Sequence, residues 1–225
     1  IPSDPSLRPS ERSRTGQALR SGLAQLRQQG LRALVIDLRG NGGGSVPAAV
    51  EVADLFLGPT VRGVTMIARQ ESRNPAHDRP IAATAATTLP AWPIVLLVDE
   101  RTASAAEMLT AALQANHRAV VIGTSTRGKD TVQQLFQLPD GGGVLLSVAR
   151  LRSPTGGSYA ETGLRPDIMV RTDPRLFLNQ ARERRQQAGL EPTLPLVEGI
   201  EDAPLTRAEE VLRGVLRLEA PRAGD

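Results

Sequence analysis

Lysine is almost missing from this chain: there is one, Lys129, against 26 arginines. A guanidinium stays protonated in proteins, whereas an ammonium gives up its proton when it is desolvated. A single lysine kept in so strong an arginine background marks a position where a neutral amine would be useful. Cysteine is absent altogether, which excludes disulfides and thiolate zinc sites but leaves the compartment open. Aromatics are few (one Trp, one Tyr, three Phe), so the core must be built from Leu, Val, Ile and Ala. No apolar run reaches the roughly 18 residues that a membrane-spanning helix needs. A large excess of positive charge is also lacking. The net charge is +3, too small to suggest a nucleic-acid partner.

What is present is a regular alternation of helical and strand patterns. At 225 residues the chain is long enough for one substantial domain with an appendage. Residues 3–14 read as a loop. Leu19, Leu23 and Leu26 predict a helix from Thr15, ended by Gly30. Residues 34–38 form a short apolar run, expected to be a buried strand, and it leads into the glycine-dense turn Gly40-Asn41-Gly42-Gly43-Gly44. A helix is expected over 46–57 and a strand over 62–68. Residues 69–90 read as a long surface connection. Residues 94–98 and 119–122 are two further buried strands, with a helix over 103–115 between them. Strands over 132–138 and 144–151 flank Pro139-Asp140-Gly141-Gly142-Gly143, a hairpin signal. Helices are expected over 172–187 and 205–217, with a loop over 192–204. Alternating strands and helices define an α/β class. The chain opens at Ile1 without Met, which reads as a processed protein or an internal fragment.

Two motifs compete for the chemistry. Gly123-Thr124-Ser125-Thr126-Arg127-Gly128-Lys129 matches the front of a phosphate-binding loop. However, Asp130 stands where a Ser or Thr hydroxyl is needed, and residues 131–136 read as a strand rather than a helix. The second motif is Thr102-Ala103-Ser104-Ala105-Ala106-Glu107, which joins a buried strand to a helix. Ser104 and Glu107 have the spacing of a capping box. The same serine, at a helix N-terminus, could be a nucleophile whose oxyanion the free N–H groups stabilise. His77 and His117 both read as surface residues without partners, so no histidine triad is expected. A lysine made neutral by burial is the remaining candidate base, which points again to Lys129.

Four segments in order resemble the C-terminal processing peptidases, or tail-specific serine proteases. They are Asp37-Leu38-Arg39-Gly40-Asn41-Gly42-Gly43-Gly44, Val98 to Glu107, Arg118 to Gly123 with Gly128 to Gln133, and Gly163-Leu164-Arg165-Pro166-Asp167-Ile168. The resemblance covers about residues 32–170. It implies a crotonase/Clp-protease-like α/β core of mixed sheets with flanking helices. The expected division is a catalytic core over 1–170 and a C-terminal helical extension over 171–225 packing on it. The resemblance further implies that Ser104 is the nucleophile, Lys129 the general base and Gln133 the group that orients the lysine. Gly44 and Ala105 would supply the oxyanion-hole N–H groups. No metal or organic cofactor is implied.

The chain departs from the family pattern in three ways. Arg127 stands where the family usually has Phe. Ala115 follows Gln114, where several members carry a carboxylate. The PDZ domain usual upstream is not in this sequence, nor is most of the strand that precedes the first helix, so a core cut from a longer protein is expected. The implied activity is a serine endopeptidase acting on polypeptides near free C-termini, outside the cytoplasm. A membrane association is not encoded here, and the oligomeric state stays open. The alternatives are a non-catalytic peptide-binding relative, a crotonase-type acyl-CoA enzyme and, on the phosphate-loop motif, a nucleotide hydrolase.

Overall fold

The computed structural model describes residues 13–58, 64–84 and 89–219. Its centre is a parallel sheet of four strands in the order β1 (Leu34–Asp37), β4 (Ile94–Val98), β5 (Val120–Gly123) and β8 (Ile168–Met169). A second, antiparallel sheet has the order β3 (Arg79–Ala82), β2 (Met66–Ser72), β7 (Gly143–Arg152) and β6 (Thr131–Gln137). Helices α1 (Arg14–Gln28), α2 (Val46–Phe56) and α3 (Ala105–Ala115) lie before and between the strands, and α4 (Leu176–Gln187) and α5 (Ala203–Glu219) follow them. This is the mixed-sheet α/β class that the motifs imply.

The uninterrupted apolar run of β4 follows from its position. Ile94, Leu96 and Val98 point into the larger core with α2 and α3, while Val95 and Leu97 point to the other face, where Ala208 and Leu212 of α5 cover them. A strand buried on both faces has no place for a polar residue. Burying each such side chain contributes roughly 1.5–3 kcal/mol. Helix α3 is equally enclosed: all residues from Ala105 to Leu113 are buried. It packs on α2, β2 and β5, and its many alanines let these elements approach closely.

Most expected elements stand within one to four residues of their predicted limits, and the glycine turn at 141–143 closes the β6–β7 hairpin. The segment 62–82 differs. Residues 59–63 lie outside the described residues, and the strand that follows runs on to Ser72, past its expected end. The supposed long connection folds back as a 3₁₀ turn, Pro75–His77, and then as β3, paired antiparallel to β2. Arg69, Gln70 and Glu71 are exposed or half-buried, so this hairpin presents polar side chains to solvent and gives little hydrophobic alternation to read. The strand β8 was also not expected. Its backbone pairs with Ile122 and Gly123 at the sheet edge. Helix α3 starts at Ala105, two residues later than expected, because Ser104 is not helical.

Candidate active site

The C-terminal ends of β1, β4 and β5 each open into a loop, and the loops converge. The β1 loop carries the glycines, the β4 loop carries Ser104, and the β5 loop carries Lys129. Asp99, fully buried at the end of β4, ties the first two together. Its Oδ1 accepts from Gly40 N (2.9 Å), Arg101 N (3.0 Å) and Thr102 N (2.9 Å). Ala103 N donates to Asn41 O (2.9 Å), and Arg127 N donates to Thr102 O (3.0 Å), so the serine loop is bound to both neighbours.

Ser104 sits at φ 58°, ψ −122°, a left-handed conformation that a residue with a side chain rarely adopts. Such strain persists only where the surroundings enforce it. Here they do. Ser104 N donates to Glu107 Oε2 (2.8 Å), as the capping-box spacing suggested. The same carboxylate does more than cap. Oε2 also accepts from Lys129 N (2.9 Å), and Oε1 accepts from Gly128 N (2.6 Å) and Thr126 Oγ1 (2.5 Å). Glu107 is fully buried with four donors around it in the first turn of α3, where the helix dipole favours negative charge. Sequence reasoning assigned it to the cap alone. The i to i+3 spacing was readable, but its contacts 19 to 22 residues further on were not.

Two backbone N–H groups near Ser104, those of Gly44 and Ala105, have no protein acceptor among the described residues. The neighbouring Gly43 N–H is taken by Asn41 Oδ1 (2.9 Å). Steric need for glycine falls on Gly43, at φ 96°. A Cβ there would stand 2.6 Å from Ala103 O and 2.9 Å from Ala105 N. At Gly44 the space around a Cβ is open.

Lys129 Nζ lies 3.5 Å from Gln133 Oε1, the partner the resemblance implied. Its side chain is exposed, however. Burial within this chain therefore does not desolvate the amine, and that part of the expectation is corrected. The reason is local: Lys129 precedes the edge strand β6, most of which is exposed. His77 and His117 are both exposed, as expected. Lys129 is followed by a strand rather than a helix, so the phosphate-loop alternative lacks its anion-binding helix end. Beneath the site lies Tyr159, 2% exposed, with no hydrogen-bond partner for its hydroxyl among the described residues. Burial pushes this phenol above its ordinary value, and the nearby Glu107 and Asp130 push it further.

Three converging loops that present a strained serine, a lysine and two unclaimed N–H groups define a site of the hydrolase type. Comparison with known proteins gives the family. The chain belongs to peptidase family S41, whose model matches residues 7–170. It is 39% identical over 155 residues to a carboxyl-terminal-processing protease of Picosynechococcus, covering 68% of this chain and 35% of that protein. It is 35% identical over 166 residues to the chloroplastic C-terminal processing peptidase of Tetradesmus obliquus, covering 73% of this chain and 34% of that protein. The solved photosystem II D1 C-terminal processing protease superposes with a TM-score of 0.62 at 33% identity, over 71% of this chain and 40% of that chain. The chain thus spans about a third of the length of the curated relatives it matches.

Proposed function

We propose that this chain is the catalytic core of a serine endopeptidase that cleaves polypeptides at or near their C-termini. Family membership and the processing proteases among the relatives support the reaction class. The observation that carries the assignment of residues is the shared carboxylate. Ser104 N and Lys129 N donate to one atom, Glu107 Oε2, so nucleophile and base are fixed relative to each other by a single buried group.

In this reading Lys129, oriented by Gln133, takes the proton of Ser104 Oγ. The oxygen attacks the scissile carbonyl, and the N–H groups of Gly44 and Ala105 receive the oxyanion. Collapse expels the C-terminal amine, which takes the proton from Lys129, and leaves an acyl-enzyme on Ser104. Lys129 then activates the water that releases the acyl group. The amine is exposed in the free chain, and a polypeptide bound at Ser104 would cover it. The division into a core over 1–170 and an extension over 171–225 belongs to the same proposal, as does a role outside the cytoplasm. Family resemblance and the chloroplastic relatives support the latter.

The test is cleavage of an unfolded polypeptide with a free apolar C-terminus by the complete protein and its Lys129→Arg variant. Arginine keeps the charge but cannot accept the proton. The expected result is loss of cleavage, by a factor of about 10³ or more, with the melting curve unchanged. Cleavage that survives the substitution rejects the dyad.

A further inference from the structure

Asn41 to Gly44 are all exposed, so the glycine loop is held by few contacts. Those on the serine-loop side are described above: Gly40 N to Asp99 Oδ1, Ala103 N to Asn41 O, and the close approach of Gly43 to Ala103. On the other side the anchor is Arg39, immediately before the loop and 3% exposed in its side chain. Its Nε donates to Asp37 Oδ1 (3.0 Å), and its Nη2 to Asp37 Oδ2 (2.8 Å). The other side of the guanidinium reaches across 163 residues of sequence to Asp202, with Nη1 to Oδ1 at 2.7 Å and Nη2 to Oδ2 at 2.8 Å. Asp202 is itself fixed. Its Oδ1 accepts from Leu205 N (3.2 Å) and its carbonyl from Thr206 N (2.9 Å), at the start of α5. Helix α5 in turn is held to the parallel sheet by Ala208 and Leu212.

We propose that Arg39 and Asp202 are positioning residues: through their ion pair, α5 holds the Gly40–Gly44 loop in the geometry its N–H groups need to receive the oxyanion. This rests on the reading of Gly44 given above. Two arguments support it. A guanidinium buried to 3% exposure, against carboxylates that keep part of their access to water (21% for Asp202), is a poor device for stability alone, since the cost of desolvating the cation offsets much of the pairing. And the planar fork of arginine, engaged by two carboxylates, fixes direction as well as distance, which a lysine or an apolar contact does not. Burial works against the charge on Arg39, and the hydrogen bonds to Asp37 and Asp202 outweigh it, so the guanidinium is held charged.

The experiment compares the complete protein with Asp202→Asn, which keeps an oxygen to cap α5 but removes the charge. Leu23→Val, buried in α1 and outside the connection from α5 through Asp202 and Arg39, serves as a control for a general loss of stability. Three quantities are read: kcat and KM for polypeptide cleavage, affinity for a peptide aldehyde that adds to the serine, and affinity for the matching peptide alcohol, which cannot. For Asp202→Asn, kcat is expected to fall about tenfold with KM within about twofold, less than the loss of a whole oxyanion donor. The aldehyde weakens by the same factor, and the alcohol does not. Leu23→Val lowers the melting midpoint and leaves kcat alone. An unchanged kcat in Asp202→Asn overturns the proposal, as does equal weakening of aldehyde and alcohol or an equal kcat loss in Leu23→Val. Should Asp202→Asn fail to fold, Asp202→Glu, which keeps the charge and shifts the carboxylate by one methylene, is read in the same way. Failure of the dyad itself is a separate result: the unsubstituted protein would cleave nothing, or Lys129→Arg would cleave as well as it does.

Discussion

Glu107 shows what one side chain can carry when it is buried. Four donors converge on it, from the serine loop on one side and the lysine loop on the other. Glu107→Gln keeps the shape but replaces one acceptor by an amide that itself donates, so donors face donors in a dry site. Leaving such groups unpaired costs about 3 kcal/mol. The expected outcome is a lower melting midpoint and a kcat reduced at least tenfold, because Ser104 and Lys129 both lose their common reference. Calorimetry and steady-state cleavage check the two parts. A variant that melts earlier but turns over normally would mean that Glu107 is only a cap.

At the scale of elements, α5 is the piece whose removal tells most. It covers Val95, Leu97 and Ile122, all fully buried, on the face of the parallel sheet opposite α3. A chain ending before Ala203 would present these strands to water as an apolar patch. Cooperative unfolding is expected to be lost and an apolar dye to bind, which fluorescence measures directly. The elements also show where sequence reasoning reaches. The runs at 94–98 and 119–122 and the Gly-rich hairpin turn were legible because burial on both faces and turn chemistry leave a local mark. The β2–β3 hairpin left none, since polar side chains at a sheet margin look like a loop. The motifs placed Ser104, Lys129 and Gln133 together, and the structure brings Lys129 to Gln133 and joins the two loops. The exposure of Lys129, the second use of Glu107 and the Arg39–Asp202 pair were not legible, because each depends on residues that meet only after the chain has folded.

For the molecule as a whole, Tyr159 sets how stability responds to alkali. Unfolded, its phenol titrates near 10. Folded, burial keeps it protonated to higher pH. Above about pH 10 the unfolded chain therefore binds fewer protons than the native one, and stability falls as pH rises. Tyr159→Phe removes this titration and a buried hydroxyl without a partner among the described residues. The variant is expected to match or slightly exceed the parent at neutral pH and to flatten the alkaline decline, as seen in denaturant titrations between pH 8 and 11. An alkaline slope unchanged by the substitution would place its origin elsewhere.

The left-handed backbone at Ser104 carries a consequence for descent. Glycine would occupy that conformation without strain, whereas serine is held there at a cost to the fold. A lineage relieved of the need for a hydroxyl would have every thermodynamic reason to drift to glycine at this position. On the role proposed for Ser104, the residue at the tip of the β4 loop is a record of selection for a hydroxyl, which folding alone would not require.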